Sequence, residues 1–217
     1  MIEYFDKLKL LFLKPTEFFK NVKKEKDYWT PLKFYIIISI IADVIGVLFA
    51  IPNLLKSQML LYLTLISLVS GLILVFIIPF VAAGIIHLGV LIFKGKEGYY
   101  NTFKPVAYAM TIGSVYSLLS SIVSAIASWF NPVTDFSDLQ SINQVQNTAA
   151  IALIAIIGLI SLIHVLYAHV LGISNYQNLT TMRAFLSVIL IPLILIILVA
   201  VLFGTAVLLG SGLFSGI

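Results

Sequence analysis

Four side chains in an otherwise oily chain are equipped for chemistry. Asp43, His87, His164 and His169 each fall inside or at the edge of a long apolar run. A carboxylate or imidazole surrounded by hydrocarbon is costly and is turned inward when present, so each is a default functional candidate. Carboxylate and imidazole together suit a proton relay or a divalent cation. At a rise of ~1.5 Å per residue, Asp43 and His164 fall near the middle of their runs and His87 lies somewhat nearer one end. An Asp43–His87–His164 group could therefore form. His164 and His169 are five positions apart, about 140° around a helix, and so do not chelate one ion from a single face. The other reading is that Asp43 bonds a neighbouring helix and the histidines are satisfied packing residues.

A second pattern is made of hydroxyls. Ser114, Ser117, Ser121, Ser124 and Ser128 recur along one helix face, with Ser120 beside them. Small hydroxyl residues at this spacing let helices approach closely and hydrogen-bond, within a protomer or between copies in a homo-oligomer. The alternative is a hydrophilic stripe lining a pathway.

Much familiar chemistry is missing. The chain has no cysteine, which excludes disulfides, thiolate nucleophiles and thiolate-held metal clusters. It contains no His-Glu-x-x-His helix, no Gly-x-Ser-x-Gly elbow and no phosphate loop. We expect no cofactor, no metal centre and no catalysis.

The elements that must position these residues follow from composition. Charged residues make up 10% of the 217, against about 25% in soluble domains, and the mean hydropathy is +1.11. Such a chain cannot cover itself with polar surface, so lipid is its solvent. Five runs are long enough to cross a bilayer, at 31–52, 60–93, 106–130, 149–172 and 184–209. The fold class is all-α, a polytopic transmembrane bundle forming one domain over 31–217. Pro79 predicts a bend inside the second span, with Ser70–Gly71 too apolar to split it.

Orientation follows the distribution of lysine and arginine. Of 13 such residues, only Lys56 lies in a connection on the second side. The others precede the first span, open it, or sit in the second-to-third and fourth-to-fifth connections. The connection 131–147 carries Asp135 and Asp138 and no cation. This places the N-terminus in the cytoplasm and the C-terminus outside. The net charge of +4 belongs to this bias and signals no nucleic-acid binding.

Residues 1–30 read as a separate amphipathic, interfacial element. Phe5, Leu8 and Phe12 recur at helical spacing among Lys7, Lys9 and Lys14, and Phe18, Phe19 and Val22 repeat the theme. Such a segment lies on the inner leaflet with its lysines toward lipid phosphates. The alternative is a docking surface for a cytoplasmic protein partner, formed by Phe18 and Phe19 with Lys94, Lys96 and Lys104 of the turn "FKGKEGYYNTFK".

Three stretches together resemble the Yip1 family, in its prokaryotic branch. "KPTEFFKNVKKEKDYWTPLKFY" has the leading proline, paired phenylalanines, basic stretch and span-opening proline, here Pro15, Phe18, Phe19 and Pro31. "GKEGYYNTFKPVAYA" resembles the family's glycine-bounded turn and the Ala-Tyr pair that opens the next span, here Ala107 and Tyr108. "HVLGISNYQNLTTMRAFLSVIL" resembles the turn after the fourth span. The resemblance implies a five-span protein of the cell membrane that acts by protein or lipid interaction. The Asp-Leu-Tyr-Gly-Pro motif of the eukaryotic branch is absent, so that branch's trafficking role does not carry over. The competing reading is a small transporter or channel for protons or divalent cations built on the buried Asp and His.

Overall fold

The computed structural model describes residues 2–55, 58–130 and 148–214, without the side chains of Ile2, Gly204 and 206–214. Asp135 and Asp138 lie outside the described residues, as does Lys56. Every regular element described is helical: α1 (Ile2–Leu13), α2 (Pro15–Asn21), a short 3-10 turn (Val22–Lys24), α3 (Trp29–Leu54), α4 (Gln58–Ile92), α5 (Tyr100–Phe130), α6 (Thr148–Gln177) and α7 (Thr181–Phe214). Five of them are long and apolar enough to cross a membrane, α3 to α7.

Helices α5 and α6 overrun the predicted spans by about a turn or more, while α4 matches its predicted span closely. At ~1.5 Å per residue, α5 and α6 are about 46 and 45 Å long, against a hydrocarbon core of about 30 Å. Apolar run length sets the sequence estimate, but a helix continues while its backbone bonds continue. The extra turns gather at the end that carries α1 and α2, called the head below. Pro79 does not interrupt α4, which runs through it and through Ser70–Gly71.

Local chemistry sets the boundaries. The Asp27 carboxylate accepts from the Thr30 amide at 2.7 Å and from its hydroxyl, which opens α3 just before Pro31. The same Thr30 donors hold the exposed Asp27 carboxyl below the usual carboxylate range. After α4, the Lys94 and Gly95 amides bond back to the Leu91 and Val90 carbonyls, with Lys94 itself left-handed at φ 66. Gly95 is required there, because a Cβ would stand 2.4 Å from a Val90 methyl. After α6, Asn178 takes the equivalent left-handed position at φ 52, a role asparagine tolerates.

Packing differs between the two halves. At the head, Phe103–Ala109, Ala168–Val170, Ile173 and Tyr176 are buried, together with Leu11, Phe18, Phe19 and Phe34. At the far half, most large side chains of Met59–Ile78, Ile151–Ile163 and Leu193–Phe203 face outward. The contrast follows from the solvent. Turns that protrude into water gain about 1.5–3 kcal/mol for each large apolar side chain buried. Turns inside lipid gain no such drive, because a lipid tail is as apolar as a neighbouring helix.

The N-terminal helices correct one expectation. The paired phenylalanines of α2 turn inward and not to lipid or to a partner, whereas Phe5 of α1 stays exposed. Phe18 and Phe19 are 0% and 1% exposed. They pack edge-on against Tyr108 and Tyr176, beside Ala168, Ala109 and Ile112. Lys104 is likewise 1% exposed. These three residues bind α2 and the 3-10 turn to the bundle, whereas Lys94 and Lys96 stay exposed. The physical reason is that α5 and α6 offer an aromatic wall whose burial in the wet head outweighs shallow burial in a leaflet.

Candidate functional site

Two regions hold the polar side chains that the sequence singles out. The first is the head junction. Lys104, on the first turns of α5, reaches the carbonyls of Val22, Lys23 and Glu25 at 3.3, 3.2 and 2.5 Å. Its ammonium lies 4.9 Å from the ring centres of both Tyr100 and Tyr176. A buried ammonium needs such partners, and three carbonyls plus two ring faces supply them.

Around it, the Glu25 carboxylate accepts from Lys7 at 2.8 Å and from the Tyr108 hydroxyl at 2.6 Å. The Tyr176 hydroxyl donates to the Phe19 carbonyl at 2.6 Å, and the Tyr100 hydroxyl spans the carbonyls of Glu25 and Asp27. The α4–α5 turn is tied in by Gln177. Its amide donates to the Gly98 carbonyl and the Thr102 hydroxyl and accepts from the Glu97 amide. These bonds surround an open cavity of about 360 Å³ whose rim carries Lys23, Lys26 and Glu97.

The second region is a groove of about 720 Å³ between α3, α4 and α5 in the far half. It exists because α3 and α5 run parallel in a constant register. Ser39 bonds Ser114 at 2.7 Å, and Asn53 bonds Ser128. Midway between these rungs, a Cβ on Gly46 would lie 3.4 Å from the Ser121 Cβ. Each pair is 75 residues apart, and the pairs repeat every seventh residue. That is the seam period of two α-helices in a left-handed supercoil. Ser114, Ser121 and Ser128 therefore serve the seam. Ser117, Ser120 and Ser124 turn into the groove, where Ser121 and Ser128 are also lined up.

Asp43, His87 and His164 occupy three different settings. Asp43 lines the groove. His87 sits in the head with its Nδ1 2.8 Å from the Thr102 hydroxyl and its ring edge-on to Tyr99. His164 faces the Tyr116 hydroxyl at 3.2 Å and packs edge-on against Phe12 of α1. His169 is buried, with Nδ1 donating to the Val165 carbonyl one turn back. Among the described residues no three His, Asp or Glu side chains gather as a metal site. Sequence reasoning missed Glu25, Tyr176 and Gln177, and it marked Tyr108 only by resemblance, without its partners. Nothing in a helical pattern marks them, because their partners lie about 80 to 160 residues away in the chain.

Five apolar helices with a polar, aromatic head define a multi-pass membrane protein. The Yip1 domain family model matches residues 9–203, nearly the whole chain. The protein belongs to the Yip1 domain family. No curated protein and no solved structure matches it.

Proposed function

We propose that this protein acts in the cell membrane by interaction rather than by catalysis, with the head, on the cytoplasmic side, offering a preformed basic surface to a protein partner. The observation that supports this reading is the Lys104 hub. By holding the carbonyls of Val22, Lys23 and Glu25, it fixes the backbone from which Lys23, Lys24 and Lys26 project. Gln177 does the same for the turn that carries Lys94 and Lys96. A charged surface on a fixed scaffold loses little entropy on binding and steers an acidic partner toward it. Anionic headgroups of the inner leaflet meet the remaining lysines of α1 and α2.

The test is cross-linking in native membranes followed by capture of the full-length chain. Charge reversal at Lys94 and Lys96, or at Lys23 and Lys26, should remove at least most of the captured partner while the protein stays folded and inserted. Asp43→Asn should leave capture unchanged. Equal capture by all variants would remove the reading.

A further inference from the structure

We propose that the far-half groove holds the ammonium headgroup of a membrane lipid, with the Asp43 carboxylate as its counter-ion. This is independent of the head's role.

The argument begins with Asp43. It lies 14 positions into the 26-residue α3, about 16 Å of helix from the Leu54 end. It is exposed at the groove wall. The ion pairs among the described residues join Lys7 to Glu25 and Lys14 to Glu17 and leave it out, and no described side chain hydrogen-bonds its carboxyl. A carboxylate at this depth in lipid costs about 2.5–3.5 kcal/mol if nothing covers it. A cation or proton donor that reaches it removes that cost, as does protonation of the carboxyl itself.

Among the described residues, the helices that line the groove offer no such cation. From Ile36 to Leu55 in α3, in α4, in α5 beyond Lys104 and in α6, there is no lysine or arginine. A second copy seated on this groove would bring the same uncharged faces and no counter-ion.

The shape of the groove selects the class of cation. At about 720 Å³ it is far larger than a bare ion needs, and it pairs a polar wall with an apolar one. Ser117, Ser120 and Ser124 present hydroxyls from α5, while Val47, Leu68 and Ile154 present hydrocarbon. An ammonium at Asp43 with the lipid phosphate among the serine hydroxyls matches that division, and the acyl chains leave along the apolar wall into the bilayer. The Asn53–Ser128 rung and the Phe49–Trp129 stack hold α3 and α5 together at the far end, so the headgroup reaches Asp43 along the open side of a joined α3–α5 wall and not between those two helices.

Native mass spectrometry of the full-length chain in nanodiscs tests this. The discs contain equal parts of phosphatidylethanolamine and phosphatidylglycerol, and the retained lipid is counted on release. The wild type should retain phosphatidylethanolamine over phosphatidylglycerol. Asp43→Asn should lose about tenfold of that preference, the scale of one charge-assisted bond, with its thermal midpoint unchanged. Gly71→Leu, which fills the groove without touching the charge, should lose retention of both lipids. Free ethanolamine at millimolar concentration should not displace the lipid. The proposal is overturned by equal retention in wild type and Asp43→Asn, by displacement with the free amine, or by a dimer whose cross-links at a Ser120→Cys position show the groove closed by a second copy.

Discussion

Lys104 shows how much one side chain can organise. A lysine within a basic turn reads, by charge bias alone, as an outward anchor. Here it points inward and takes the backbone carbonyls of a segment about 80 residues earlier in the chain. Replacing it by methionine keeps the apolar stem but leaves those carbonyls without their donor. Losing a hydrogen bond to a charged group costs about 1.5–3 kcal/mol. Lys104→Met should therefore lower the thermal midpoint in detergent, and trypsin should cut faster after Lys23, Lys24 and Lys26. An unchanged midpoint together with an unchanged cleavage rate would mean that the hub contributes nothing. The aromatic partners, Tyr100 and Tyr176, are invisible to sequence reasoning for the same reason as Lys104. Only the fold brings their ring faces to one ammonium.

At the scale of elements, helix approach is governed by a few glycines. A Cβ at Gly89 of α4 would stand 2.4 Å from the Ser187 carbonyl oxygen and 2.9 Å from its Cα in α7. Backbone cannot rotate aside as a side chain can, so Gly89→Ala must push α4 and α7 apart. The expected cost is about 1–3 kcal/mol, seen as a lower unfolding midpoint. Gly158 of α6 meets nothing within 4 Å. Gly158→Ala should leave the stability within about 0.5 kcal/mol of the wild type or raise it. If both variants behave alike, the α4–α7 approach is not close. The serine face of α5 was legible as a face, since its spacing is a property of one helix. That its seam residues meet α3 every seventh position, while the rest open a groove, depends on the α3–α5 register.

At the scale of the whole molecule, the bundle is polar and dense at one end, lipid-facing and open at the other. The charge bias predicts that the dense end faces the cytoplasm. Because the natural chain has no cysteine, single cysteines report sidedness cleanly. A membrane-impermeant maleimide on intact cells should label Leu55→Cys and leave Lys96→Cys at background until the membrane is opened. The reverse pattern would invert the orientation and remove the head from the cytoplasm. The lipid environment, the number of spans and the lysine-rich end were settled by sequence alone, because run length and charge placement are one-dimensional quantities. The inward turn of Phe18, Phe19 and Lys104, the separate settings of Asp43, His87 and His164, and the groove were decided only by tertiary structure. The spans are apolar nearly all round, and to an oily side chain a lipid tail and a neighbouring helix are equivalent, so no pattern along the chain says which face meets which.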